Sequence, residues 1–114
     1  MTAKKLTLER GCWYALTMYP GYLNEPYCSP IRVDAIKPLG AGLIEIEHLN
    51  AGYAQGVQIM TKGYRVHRRG ERHMVLDEID VPERTVVIEQ LTDKWLQTHA
   101  PWFVALAYEN TGHR

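Results

Sequence analysis

Up to the neighbourhood of Leu91, apolar positions recur mostly at every second residue, the period of a half-buried strand. Leu6 and Leu8 alternate with Lys5, Thr7 and Glu9. Residues 12–18 are rich in aromatic and strand-favouring types and suit a strand or a short helix, with Gly11 separating them from the first run. Residues 31–37 place Ile31, Val33 and Ala35 on one face and Arg32 and Asp34 on the other. Residues 43–49 place Ile44, Ile46 and His48 opposite Glu45 and Glu47. Residues 57–61, 64–68, 74–79 and 84–90 are strand-like as well, with a bulge expected at Gly63. Residues 19–30 hold three prolines, Gly21 and Asn24, the composition of a loop, and turns are expected at 38–42, at 50–52 and around Pro82.

Beyond Leu91 the period changes. Thr92 is placed to cap a helix, with Asp93 in its first turn near the positive end of the dipole. Leu91 and Trp95 are four apart and share a helical face. Pro101 breaks or restarts the helix, and Trp102, Phe103, Leu106 and Ala107 make a second apolar stripe. The pattern predicts an α+β fold. Its main part is an antiparallel sheet, or a small, partly open barrel, of about six strands, with one or two C-terminal helices packed on it.

The 114 residues suit a single domain over 1–114, long enough to bury a core without staples. Apolar residues are 46% and charged residues 23%, the balance of an ordinary globular chain and not of a disordered one. No apolar run is long enough to span a bilayer, and no apolar stretch follows Lys4 and Lys5 as a signal peptide would require. A cytoplasmic protein with no membrane association is expected, and Cys12 and Cys28 are then read as free thiols.

Net charge is zero, but its distribution is uneven. Residues 62–73, KGYRVHRRGERH, carry five Lys/Arg against Glu71, and the next stretch is rich in acids, from Asp77, Glu78 and Asp80 to Asp93. The basic run reads as a hairpin turning near Arg69-Gly70. Two registers fit it, one pairing His67 with Glu71 and the other Arg68 with Glu71. In either, at least three arginines stay unpaired within the hairpin. Arginine suits bidentate contacts to phosphate, and a twisted ribbon can present such contacts. The candidate anion- or nucleic-acid-binding residues are therefore Lys62, Arg65, His67, Arg68, Arg69, Arg72 and His73. Tyr19, Tyr22 and Tyr27 would add stacking surfaces for unpaired bases if they lay on the same face. The same charges could instead blunt a sheet edge or dock on the acidic run.

Other chemistry is thin. His67 and His73 with Glu71 make a poor metal set beside so many cations, so neither metal nor cofactor is expected. His48 shares a face with Ile44 and Ile46, as a satisfied core or interface histidine would. Glu45 and Glu47 share a strand face, as an acid–base pair requires, yet such pairs are usually the wet face of a sheet. No phosphate-cradling glycine loop or nucleophile elbow is present.

The expected function is a small non-enzymatic binding protein that presents its basic hairpin to an anionic partner. Nucleic acid is the most concrete such partner, and an acidic protein surface is another. A second reading is a homo-oligomeric or protein-interaction subunit whose basic and acidic blocks meet across subunits, or whose strand edge and tryptophans Trp13, Trp95 and Trp102 bury in a partner. A third is a small enzyme using Glu45, Glu47 and a histidine.

Overall fold

The computed structural model describes residues 5–20, 25–52 and 56–103, and side chains for all of these except 52 and 56–58. Six strands follow in chain order: β1 (Trp13–Tyr19), β2 (Tyr27–Gly40), β3 (Leu43–Gly52), β4 (Gly56–Arg69), β5 (His73–Glu78) and β6 (Thr85–Gln90). Each pairs antiparallel with the next, and β1 also pairs with β6 from Tyr14↔Gln90 to Tyr19↔Thr85. That last ladder closes the sheet into a barrel. The partly open form expected from the pattern is therefore corrected: the two outer strands of the meander satisfy each other's backbone groups and leave no free edge.

Alternation along the strands fills the inside. Tyr14 and Leu16 of β1 stand opposite Ile31 and Ser29 of β2. Ile44 and Ile46 of β3 stand opposite Tyr64 and Lys62 of β4. Met74 and Leu76 of β5 stand opposite Ile88 and Val86 of β6. The apolar members of these rows form one core with Val33, Leu6 and Leu8.

The run at residues 5–9 forms no strand, yet its alternation still decides burial: Leu6 and Leu8 are inside and Lys5, Thr7 and Glu9 outside. The segment lies across one barrel end as a plug. The Leu6 N–H donates to the Gly70 carbonyl (2.7 Å). The Arg69 guanidinium donates to the Leu6 carbonyl (2.9 Å) and to Thr7 Oγ1 (3.3 Å). The Glu9 N–H donates to the Tyr14 hydroxyl (2.7 Å).

Several boundaries differ from the pattern. The loop after β1 is shorter than residues 19–30, because β2 begins at Tyr27. Residues 50–52 continue β3 instead of turning, with Asn50 facing inward opposite Ile31. Gly63 is no bulge; it pairs in register with Glu45, and the Ile79 side chain lies over its Cα, where a Cβ would meet it at 2.9 Å. Register shifts fall elsewhere, between Val33 and Ala35, between Pro38 and Gly40, and between Val66 and Arg68. After the first, Ile36 and not Ala35 stands opposite the inward Ile46.

The β2–β3 hairpin turns through Gly40, Ala41 and Gly42, all with positive φ (87°, 54° and 78°). Only the middle residue carries a Cβ, which costs about 1 kcal/mol in this region. Ala41→Gly should therefore raise stability by about 0.5–1 kcal/mol in urea unfolding, and a drop would argue against this turn geometry.

The helix α1 (Asp93–His99) forms as the sequence suggests. The Thr92 hydroxyl accepts from the Trp95 N–H (3.1 Å) and Asp93 occupies the first turn. Leu96, Ala100 and Phe103 bury with Ala51 on the outside of the barrel, flanked by Trp13, Leu91, Trp95 and Trp102. Trp13 meets Phe103 edge-on with ring centroids 4.8 Å apart. The His99 ring lies tilted against Trp95, centroids 4.9 Å apart and planes at 45°. The second expected helix falls largely outside the described residues, as does Tyr22.

Candidate anion-binding surface

The basic run occupies the end of β4, the turn and the start of β5. Observed pairs are Tyr64↔Glu78, Arg65↔Asp77, Val66↔Leu76, Arg68↔Val75 and Arg69↔Met74. Neither register expected from sequence is adopted, because β4 runs on to Arg69 and Glu71-Arg72 form the tip. The Gly70 N–H donates to the His73 carbonyl across that tip (2.8 Å). Glu71 therefore opposes no arginine.

The bulge at His67 sets the chemistry of this ribbon. In unbroken alternation Arg65 and His67 would face out and Arg68 in. The extra residue turns the chain by one place. Arg68 now stands opposite the outward Val75, while Arg69 stands opposite the inward Met74 and caps the barrel end. His67 is also outside, with Nδ1 3.7 Å from Asp77 Oδ2. Arg65, His67 and Arg68 thus share the outer wall, and Arg72 is exposed at the tip. Among the described residues, Arg65, Arg68 and Arg72 enter no ion pair.

The remaining predicted residues have other places. Lys62 points into the barrel, with Nζ 3.5 Å from Glu78 Oε2. Arg69 holds the N-terminal plug. The His73 ring covers Gly70, where any Cβ would strike the imidazole. Tyr19 and Tyr27 lie at the barrel end opposite the hairpin tip, since Tyr19 pairs with Thr85 while His73 pairs with Glu89. Tyr19 is exposed there, and the Tyr27 hydroxyl donates to Asn50 Oδ1 (3.2 Å). They do not share a face with the arginines.

The acidic stretch after the hairpin is partly engaged within the protomer. Glu78, which is buried, receives Lys62 and also Arg84 at 3.6 Å. Asp77 receives His67. The tryptophans named for a partner interface are half-buried, packed around the Ala51, Leu96, Ala100 and Phe103 cluster. Glu45 and Glu47 are on the outer wall and His48 is inside, so strand alternation separates them.

Sequence reading missed the polar inner face. His48 is 2% exposed, and among the described residues neither ring nitrogen has a hydrogen-bond partner. It is a core histidine but not a satisfied one. Burial, with the Lys62 charge adding to it and Asp34 opposing, lowers its pKa to about 4. Burial likewise raises the Tyr64 phenol, with the Glu78 charge acting in the same direction. The one available signal was a His, a Lys and a Glu at inward positions of successive strands, visible only once the β4–β5 register is known.

No protein-family model matches the chain, and neither the curated proteins nor the solved structures contain a match. Among the described residues, no helix is long and apolar enough to cross a membrane, and no cluster of His, Cys, Asp or Glu could hold a metal ion.

Proposed function

We propose that the protein is a non-enzymatic binding protein whose β4–β5 ribbon engages an anionic partner, nucleic acid in its most concrete form. One observation carries this reading. The bulge at His67 brings Arg68 onto the same outer wall as Arg65, and Arg72 is exposed at the tip; none of the three forms an ion pair with a described residue, although Arg65 stands opposite Asp77 across β4 and β5. A ribbon of this kind can lay guanidinium groups against consecutive phosphates.

The reading is narrower than the seven residues of the basic run. Lys62, Arg69 and His73 serve the barrel itself, so the binding set is Arg65, Arg68 and Arg72, with His67 beside them. Tyr19 and Tyr27 supply no stacking next to these arginines, which favours phosphate contacts over recognition of unpaired bases. The expected affinity is accordingly weak and tolerant of sequence.

Fluorescence anisotropy with labelled single-stranded and duplex oligonucleotides tests it. The variant Arg65→Ala/Arg68→Ala/Arg72→Ala should lose at least tenfold in affinity, on the order of 1.4 kcal/mol or more. Arg69→Lys should keep the wild-type affinity while weakening the fold. Equal binding by the wild type and the triple variant would end this assignment, and binding only to an acidic protein would redirect it to that partner.

A further inference from the structure

Alternation puts four charged side chains of β3 and β4 on one outer wall. In register, Glu47 stands beside Thr61, Glu45 beside Gly63 and Leu43 beside Arg65, and Arg68 follows one outward row further, opposite Val75. Glu47, Arg65 and Arg68 are exposed and Glu45 is half-buried. Among the described residues none of the four enters an ion pair. Arg65 also has Asp77 opposite it on β5, but the Asp77 carboxylate meets His67 (Oδ2 to Nδ1, 3.7 Å). Ile79 adds an apolar group between acids and arginines. It is 41% exposed, and its side chain lies across Gly63. The outer wall of β1 and β2 is covered by contrast, since Ala15 and Pro30 are fully buried there.

We propose that this β3–β4–β5 wall docks a second copy of the same chain. The spacing decides the partner. Glu47, Glu45, Arg65 and Arg68 fall on four successive rows of the wall, so the midpoint of Glu45 and Arg65 is also the midpoint of Glu47 and Arg68. One two-fold axis lying across the strands at that midpoint, beside Gly63, brings Glu45 of each copy to Arg65 of the other and Glu47 to Arg68. The acids are on β3 and the arginines on β4, an offset of about 4.8 Å that such long side chains bridge. The wall is thus its own electrostatic complement, whereas a foreign partner would have to reproduce the same mosaic. Ile79 and its symmetry mate meet near the axis, an apolar centre inside a charged rim. The acidic run after the hairpin is not the counterpart, because its Glu78 is taken up inside the barrel by Lys62 and Arg84. Dimerisation covers Arg65 and Arg68 and so masks part of the anion-binding ribbon. The masking rests on the role proposed above for these arginines; the self-association does not.

Sedimentation equilibrium on the full chain tests it, at about 50 mM salt, where exposed charges are weakly screened. The wild type should dimerise, and raising the salt to about 0.5 M should weaken the dimer at least tenfold. Glu45→Lys/Glu47→Lys and Arg65→Glu/Arg68→Glu should each stay monomeric where the wild type is dimeric, because like charges then meet at every contact. Mixed in equal amounts, the two variants should associate at least as tightly as wild type, since each contact of the mixed dimer regains opposite charges. An added single-stranded oligonucleotide should convert the wild-type dimer to bound monomer. The proposal fails if the wild type is monomeric at low salt, if either reversal variant self-associates like wild type, or if the mixture stays monomeric. Should a reversal variant not fold, Ile79→Asp decides: it should weaken the dimer at least tenfold, and wild-type association would overturn the proposal. A dimer that ignores the oligonucleotide would refute the masking alone, and a monomer that binds it would refute the self-association alone.

Discussion

Acidifying the protein from pH 7 to pH 4 will remove about 3 kcal/mol of folding stability through His48 alone. The side chain ordinarily titrates at 6.5 and is held near 4 in the fold by burial and by the Lys62 charge, with Asp34 opposing. The folded state therefore binds fewer protons than the unfolded chain between these values. Its contribution is complete above pH 6.5 and is lost as pH falls through about 4. Urea unfolding at pH 7, 5.5 and 4 measures it. Other acids titrate in every variant, so the informative quantity is the difference between wild type and His48→Leu. The Leu variant should lose the part of the pH dependence that lies between 6.5 and 4. If the two curves run parallel, His48 is not buried and neutral as described.

Unplugging the barrel is the second large effect. Leu6→Ala and Leu8→Ala should each cost about 2–3 kcal/mol, as expected for truncating buried leucines whose surroundings collapse only in part. Arg69→Ala should cost about 1–2 kcal/mol, because it removes charged donors from the Leu6 carbonyl and Thr7. These effects share one cause, so Arg69→Ala/Leu8→Ala should cost less than the two single changes together: a segment that has come off leaves Arg69 nothing to hold. Strict additivity, or single costs under about 0.5 kcal/mol, would show that residues 5–9 do not close the barrel.

Much of this architecture is legible in the sequence, and the exceptions have physical reasons. The faces of Ile44, Ile46 and His48 follow from a two-residue period that the fold keeps, whereas the alternating run at 5–9 forms no strand and the runs at 57–61 and 64–68 join into one. Thr92 and Asp93 mark the helix start because capping is local chemistry. Closure is not legible, since the β1–β6 ladder joins segments about seventy residues apart and depends on the sum of every intervening register. The bulges at 34 and 67 are equally hidden, for neither carries the glycine that was expected to mark one. The candidate surface suffers most from this. A single extra residue at His67 exchanges the faces of Arg68 and Arg69, sending one to solvent and the other to the plug. Lys62, adjacent to the arginines in sequence, faces the opposite way for the same reason of alternation.

The salt dependence of binding is the most direct test of the outer arginines as a phosphate-contacting set. Three contacts predict that log Kd against log salt has a slope of magnitude about 2 for single strands and about 2.7 for duplex DNA, reduced by roughly one contact's share for each of Arg65, Arg68 and Arg72 changed to Ala. An oligonucleotide affinity that is flat between 50 and about 200 mM salt, or a slope that the triple variant leaves unchanged, would contradict the account.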